Sequence, residues 1–139
     1  MLDFLKEYEK GSFSFPKAGS LDVLCNAPKD VSGVYVVYNS EFRDKPIYIG
    51  SSGIMQNNGE IKHRDGGMYD RIVNGDQFGK PRKKSWPSEM EEQEINELLI
   101  CWFVTFSENV TDIPKFVEAV LIQKHYKLFL ALPSWNKSF

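Results

Sequence analysis

The sequence predicts a small α/β (α+β) domain with a mixed or antiparallel three-stranded central sheet flanked by helices. Three features of the sequence pattern lead to this fold class. Two short β-type segments at 34–38 and 46–49 are separated by a polar break, which is typical of a hairpin. An apolar run follows at 98–106, and an amphipathic pattern of helical period follows at 112–130.

The 139 residues are enough for one domain, 1–139, whose core needs neither a metal nor disulfides. A hydrophobic content of 42% argues against a disordered or fibrous chain. No run reaches the ~18 apolar residues of a membrane span, and residues 1–7 lack the pattern of a signal peptide. We therefore expect a soluble, cytoplasmic protein with no membrane partner. Cys25 and Cys101 are expected to be reduced thiols rather than a disulfide or a metal pair.

Residues 1–30 are expected to form an N-terminal helix and a lead-in segment. Leu2, Leu5 and Tyr8 have helical spacing and come before a Gly-Ser break. A short amphipathic helix is therefore predicted within 1–10, followed by a polar turn into the first strand.

A hairpin is predicted over 33–50. Side chains two apart lie on the same face of a strand, so Tyr35 and Val37 should point away from the face that carries Val34. Tyr48, on the second strand, can then line the same surface as Tyr35.

The middle third is predicted to hold two loops and a short helix. The polar, glycine-containing segment 53–67 is too irregular for a packed element. The helix is expected at 68–74, with Gly75 as its C-terminal cap. The second loop, 76–87, carries a basic cluster and an exposed tryptophan, Trp86.

The third strand and the longest helix are predicted in the last third of the chain. The run 98–106 is apolar on both faces, as in a central strand. The helix is expected to be capped by Thr111 or Asp112, to carry Pro114 in its first turn and to end near Leu130.

Glu118 falls on the apolar stripe of that helix, one turn before Leu121. Burial of a carboxylate is costly, so we expect a metal ion or an arginine beside it. The alternative is a glutamate at the edge of the stripe that reaches water. His125 lies on the same face, where a core histidine is expected rather than a metal ligand.

The net charge of −2 is not the usual signature of a nucleic-acid-binding protein. The cationic side chains are nevertheless concentrated in the middle third of the chain: Lys62, His63, Arg64, Arg71, Lys80, Arg82, Lys83 and Lys84. Such a patch can bind phosphate groups although the total charge is acidic. For the run 80–84 alone, a solvated loop of mixed charge is the alternative.

Two tripeptides, Gly33-Val34-Tyr35 and Tyr48-Ile49-Gly50, stand about ten residues apart on the predicted hairpin. The pair resembles the GIY-YIG nuclease family, whose name is these two tripeptides, with Val for Ile as the only change. The resemblance extends over 32–136, which it identifies as a nuclease core with a GIY-YIG-like fold. A core hairpin with two packed tyrosines is the alternative for the six residues alone.

The resemblance implies a metal-dependent active site. In the family one tyrosine takes the proton from the attacking water and another positions it, and Tyr35 and Tyr48 match these two. Which residue has which role stays open. Glu118 matches the sole protein ligand of the catalytic Mg²⁺ or Mn²⁺ ion, and Asn136 matches an asparagine that braces the site by hydrogen bonding.

Arg71 matches the family's arginine, which would hold the scissile phosphate, and Arg64 is the rival. Arg71 is preferred because it lies in a predicted helix rather than a loop. Two positions depart from the family, because Ser51 and Gly75 stand where many relatives have a lysine and a histidine or tyrosine. Candidate substitutes for the side chain missing at position 75 are His63, His125 and Tyr69.

The resemblance therefore implies a metal-dependent DNA endonuclease, with a restriction-type enzyme as the best fit. Target choice is expected from the loops 53–67 and 76–87, from a homodimer or from an accessory protein. The alternative is a non-catalytic nucleic-acid-binding or scaffold protein that keeps the fold. Expected substrate contacts are Gly50, Ser51, Ser52, His63, Arg64, Lys80, Arg82, Lys83 and Lys84.

Overall fold

The computed structural model describes residues 2–62 and 65–139, and these form a mixed α+β fold. The strands are β1 Glu9–Pro16, β2 Ser32–Asn39, β3 Tyr48–Ser51, β4 Ile54–Met55, β5 Ile61–Lys62, β6 Asp76–Gln77, β7 Lys80–Pro81 and β8 Glu97–Phe106. The helices are α1 Leu21–Leu24, α2 Gly67–Asn74, α3 Arg82–Glu92 and α4 Pro114–Phe129, with a 3₁₀ turn at Asp3–Leu5.

The main sheet has four antiparallel strands in the order β1-β8-β2-β3. The predicted hairpin is confirmed as β2 and β3, and the apolar run is confirmed as the interior strand β8. The prediction of three strands is wrong, because β1 pairs with the other edge of β8. Four more short strands form two separate two-stranded hairpins, β4-β5 and β6-β7.

Alternating side chains of β2 divide the apolar interior into two clusters. Tyr35 and Val37 pack with residues of α2 and α3 on one face, and Tyr48 lies against the same cluster. Val34 and Val36 pack with α4 on the other face. The predicted alternation is thereby confirmed, and it places both tyrosines of the hairpin on the side of α2 and α3.

The N-terminal segment differs from the prediction. In place of a helix within 1–10, a 3₁₀ turn is followed by the eight-residue strand β1. Phe13 and Phe15 are buried while Ser12 and Ser14 are exposed, which is the period of two of a strand with one buried face.

The prediction of a loop over 76–87 is also wrong. Phe78 and Gly79 both have positive φ, at 56° and 83°, and form the two-residue turn of the β6-β7 hairpin. Helix α3 starts directly after it, and Pro87 lies inside that helix. Trp86 is buried rather than exposed, because the 3.6-residue period turns it inward with Arg82 and Met90.

The predicted helix at 68–74 is confirmed as α2, and Gly75 is its C-cap residue. Helix α4 has Pro114 as its first residue, as predicted, but its N-cap is Ile113, which makes no capping hydrogen bond with its side chain. Thr111 instead forms an isolated β-bridge with Phe106, so the predicted cap is wrong.

The long segment 53–67 contains the small β4-β5 hairpin. Cys25 and Cys101 are free thiols. No helix of the described residues is long and apolar enough to span a membrane.

Candidate functional site

Tyr35 and Tyr48 lie side by side over the backbone of β3. Tyr35 is opposite Gly50 in the β2-β3 register, and the two ring centroids are 6.1 Å apart. A Cβ atom at Gly50 would lie 2.7 Å from the Tyr35 hydroxyl oxygen and 2.7 Å from Cε2 of Tyr48. The absence of a side chain at Gly50 therefore allows both rings to approach the strand.

Arg82, the first residue of α3, binds both tyrosine hydroxyl groups. Its Nη1 donates to Oη of Tyr35 at 2.7 Å, and its Nη2 donates to Oη of Tyr48 at 3.0 Å. Two further donations reach the backbone oxygen of Arg71 at 2.7 Å and Oε1 of Gln77 at 2.9 Å. Four hydrogen-bond acceptors thus hold the guanidinium in place.

The position of Arg82 corrects the sequence-based expectation of a substrate contact in a surface loop. The side chain is 1% exposed and starts a helix, so its guanidinium lies in the interior. Its neighbours in the basic run, Lys80, Lys83 and Lys84, are exposed. Those three remain the cations of the run that are open to solvent.

Gly75 explains how Arg82 reaches this place. A Cβ atom at Gly75 would lie 2.8 Å from Nη1 of Arg82, so a side chain at position 75 would compete with the guanidinium for space. Of the candidate substitutes for that side chain, Tyr69 donates its hydroxyl to the backbone oxygen of Asp22. Buried His125 contacts the backbone oxygen of Ala131 with Nδ1 at 2.8 Å, and the predicted core histidine is confirmed. His63 lies outside the described residues, as does Arg64.

Burial raises the pKa of the Tyr48 phenol to about 12. The neighbouring Tyr35 and the negative charge of Glu118 act in the same direction, whereas the positive charges of Arg82 and Arg71 lower this pKa. Tyr48 therefore carries its proton at neutral pH. Since Arg82 already donates to its oxygen, the hydroxyl hydrogen of Tyr48 is directed to another acceptor.

Glu118 projects from α4 toward β3 and is 5% exposed. Its Oε1 accepts a hydrogen bond from Oγ of Ser51 at 3.0 Å and lies 3.1 Å from Nζ of Lys115. Among the described residues, the partners of this carboxylate are a serine hydroxyl and a lysine rather than the arginine that was one of the two expectations. Lys115 brings a cation next to Ser51, the position at which a lysine was missing by comparison with the resembled family.

A cavity of about 320 Å³ opens beside Ser51 and Lys115. Arg71, from the middle of α2, lies in its wall, and Ser52 lies there as a buried residue bound to the backbone of Gly33. Among the described residues, the lining is Ser51, Ser52, Gly53, Ile54, Lys62, Arg71 and Lys115. Three of these side chains are cationic and none is acidic, so this part of the wall favours an anion.

Asn136 closes the free edge of β3. Its Nδ2 donates to the backbone oxygen of Ile49 at 2.9 Å, and the backbone N–H of Ile49 donates to its Oδ1 at 3.0 Å. Next to it, the backbone N–H of Trp135 donates to the oxygen of Ile47 at 2.8 Å. The expected brace by hydrogen bonding is therefore present, and its target is the strand that carries Tyr48.

No protein-family model matches the chain, and comparisons with curated proteins and with solved structures give no match either.

Proposed function

We propose that this chain is a metal-dependent DNA endonuclease of the GIY-YIG type that hydrolyses a phosphodiester bond. The observation that carries the proposal is the arrangement of four side chains around the four-residue strand β3. Tyr48 lies on the strand, Glu118 binds its Ser51, Asn136 binds its Ile49, and Arg71 lines the cavity next to it. The residues that the resemblance selects from distant parts of the sequence thus all lie on this strand, bind to it or border it, which supports the proposal.

The wall of the cavity fits a phosphodiester anion. A planar guanidinium such as that of Arg71 can donate two parallel hydrogen bonds to phosphate oxygens, and it stabilises negative charge that grows on them during hydrolysis. Lys62 and Lys115 add positive charge to the same wall. These three side chains would bind and orient the substrate phosphate.

Glu118 fits the role of a single protein ligand to Mg²⁺ or Mn²⁺. Oε1 is occupied by Ser51 and Lys115, whereas no group of the described residues donates to Oε2. Within the described residues, 2–62 and 65–139, no group of three or more acidic, histidine or cysteine side chains could hold a metal ion. Glu118 would therefore be a single carboxylate ligand, and water and substrate oxygens would supply the other ligands of the ion. When bound, such an ion neutralises phosphate charge and makes a bound water more acidic.

Tyr48 suits an orienting role in its neutral form. A phenol that keeps its proton can donate a hydrogen bond to an attacking water or a phosphate oxygen, but it cannot accept the proton of that water. To act as a general base it must first ionise, and the nearby Arg71 and Arg82 favour that change. Tyr35 is fully buried, so Tyr48 is the tyrosine that a substrate would reach first.

The segments next to the cavity would select the DNA sequence that is cleaved. Gly53, Ile54 and Lys62, at the base of the β4-β5 hairpin, line the cavity directly. The exposed lysines of β7 and α3 offer backbone contacts farther along the DNA. A restriction-type enzyme, acting with a second copy or an accessory protein, is consistent with recognition by such short elements.

The proposal is tested by plasmid cleavage with purified protein, with and without Mg²⁺ or Mn²⁺. Wild type should cleave only with the divalent ion, and Glu118→Gln should lose that cleavage while its circular dichroism and DNA binding are unchanged. Glu108→Gln, which alters an exposed glutamate, is the matched control and should cleave normally.

Cleavage by Glu118→Gln at the wild-type rate would remove the metal assignment. DNA binding by wild type without any cleavage, under all divalent ions, would favour a non-catalytic nucleic-acid-binding protein with the same fold.

A further inference from the structure

We propose that Arg82 is a positioning residue that holds the hydroxyl oxygens of both Tyr35 and Tyr48 and supplies the counter-charge when Tyr48 loses its proton. The effect of Arg82 on cleavage rests on the proposed function. Its effect on the tyrosines does not, and can be measured on the protein alone.

A purely structural role does not explain why an arginine is buried at position 82. Its hydrogen-bond acceptors are two phenols, a backbone carbonyl and an amide, all of them neutral. No carboxylate of the described residues lies within ion-pair distance of its guanidinium. A buried cation without a counter-ion is costly, and apolar or neutral residues of similar size would stabilise a core at least as well.

The contacts of Arg82 converge on the candidate site rather than on the core in general. Two of its donors reach the tyrosine hydroxyls, and a third reaches the backbone of Arg71. The guanidinium carbon is also 5.4 Å and 5.2 Å from the ring centroids of Tyr35 and Tyr48. One rigid group therefore fixes both oxygens and both rings.

This geometry has two consequences for the hydroxyl groups. Because the guanidinium only donates, each phenol must turn its own hydrogen away from Arg82. If Tyr48 ionises, the neutral hydrogen bond from Nη2 becomes a charge-assisted one, which is stronger. Arg82 would therefore stabilise the phenolate of Tyr48 and keep its oxygen in place.

The direct test follows the titration of Tyr48 by ¹⁹F NMR, with a fluorinated tyrosine at position 48 and another at exposed Tyr126 as internal reference. Fluorine makes the phenol more acidic, so its titration begins at a lower pH than that of tyrosine. Other charges that face Tyr48, those of Arg71 and Glu118, are left unchanged. The variant is Arg82→Met, and Arg43→Met, at an exposed arginine, is the matched control.

Removal of the guanidinium should raise the pKa of the fluorotyrosine at position 48, because an adjacent positive charge favours the phenolate. The signal from position 126 should titrate as before, and Arg43→Met should change neither. An unchanged titration at position 48 in folded Arg82→Met would overturn the proposal.

Because Arg82→Met alters a buried residue, the hydrogen bond between Arg82 and Tyr48 is also tested by a change at Tyr48. Tyr48→Phe removes one hydroxyl oxygen and keeps the ring. It should speed solvent exchange of the Arg82 guanidinium protons, measured by ¹⁵N NMR, since Nη2 loses its acceptor. Unchanged exchange would show that the guanidinium does not hold this hydroxyl, and it would reject the proposal even if Arg82→Met failed to fold.

The catalytic consequence is measured separately. Arg82→Lys keeps the positive charge but loses the two guanidinium nitrogens that bind the two hydroxyl groups. The kcat for DNA cleavage should then fall by about 100-fold. KM should change little, because a buried residue does not contact DNA. If wild type does not cleave DNA, the proposed function fails while the NMR results still decide the role of Arg82. A normal kcat in Arg82→Lys together with a raised KM would refute the positioning role.

Discussion

Loss of the Asn136 side-chain amide should destabilise the protein and the candidate site together. The amide pairs with both the N–H and the C=O of Ile49, a residue that is completely buried. In Asn136→Ala neither backbone group keeps its partner. A buried polar group without a hydrogen bond costs about 1–3 kcal/mol. Asn136 itself is half-buried, so water can replace part of the loss, and we expect destabilisation of about 1–3 kcal/mol in total.

Two further variants separate hydrogen bonding from packing. Asn136→Asp keeps an acceptor for the Ile49 N–H but places a carboxylate oxygen against the Ile49 carbonyl, so it should be no more stable than Asn136→Ala. Asn109→Ala, at an exposed asparagine, is the matched control and should unfold like wild type.

The assay is unfolding in urea, followed by circular dichroism. The midpoint should fall in Asn136→Ala while the slope m stays constant, since the surface exposed on unfolding is the same. DNA cleavage should fall as well, because β3 carries Tyr48 and Ser51. A midpoint equal to that of wild type would show that the tail does not hold β3, and it would refute the bracing role of Asn136.

Two further predictions concern DNA binding and alkaline pH. Replacing the exposed lysines Lys80, Lys83 and Lys84 with Gln should flatten the plot of log affinity against log salt by up to about 2.7, at about 0.9 for each phosphate contact. An unaltered slope would make them solvated side chains. Because burial raises the pKa of Tyr48 to about 12, the unfolded chain releases that proton first, near the ordinary value of ~10. The contribution of Tyr48 to the free energy of unfolding is therefore constant below pH ~10 and lost as the pH rises toward about 12, and urea unfolding should show a weaker fall over that range in Tyr48→Phe.

The part of the fold that could be predicted from the sequence is the part with a clear local period. β2, β3 and β8 alternate or are continuously apolar, and α4 has a long apolar stripe. β1 was missed because its pairing with β8 joins residues about 90 positions apart, such as Gly11 and Trp102, and no local pattern shows that contact. Helical spacing among the first residues favoured the wrong element.

Helix α3 was missed for a different reason. Arg82, Trp86 and Met90 recur at a spacing of four, which is a helical period, but the basic run 80–84 favours a surface position for Arg82. Pro87 further favoured a loop, although the helix accommodates it. A charged residue on the buried face of a helix needs a partner, and this argument applies to Arg82 as it does to Glu118. The spacing of four residues between Arg82 and Trp86 is the feature of the sequence that indicates this buried face.

The uneven distribution of charge explains how a protein with an acidic net charge can have a cavity that favours an anion. Among the described residues, the cavity beside Ser51 has three cations in its wall, whereas a larger cavity, of about 820 Å³, is lined by four acidic side chains and by no lysine or arginine. The four are Glu7, Glu9, Asp30 and Glu108. A polyanion would be repelled from the second cavity and attracted to the first. A net charge of −2 therefore does not oppose DNA binding at the candidate site, and in this protein it would favour a single orientation of approach.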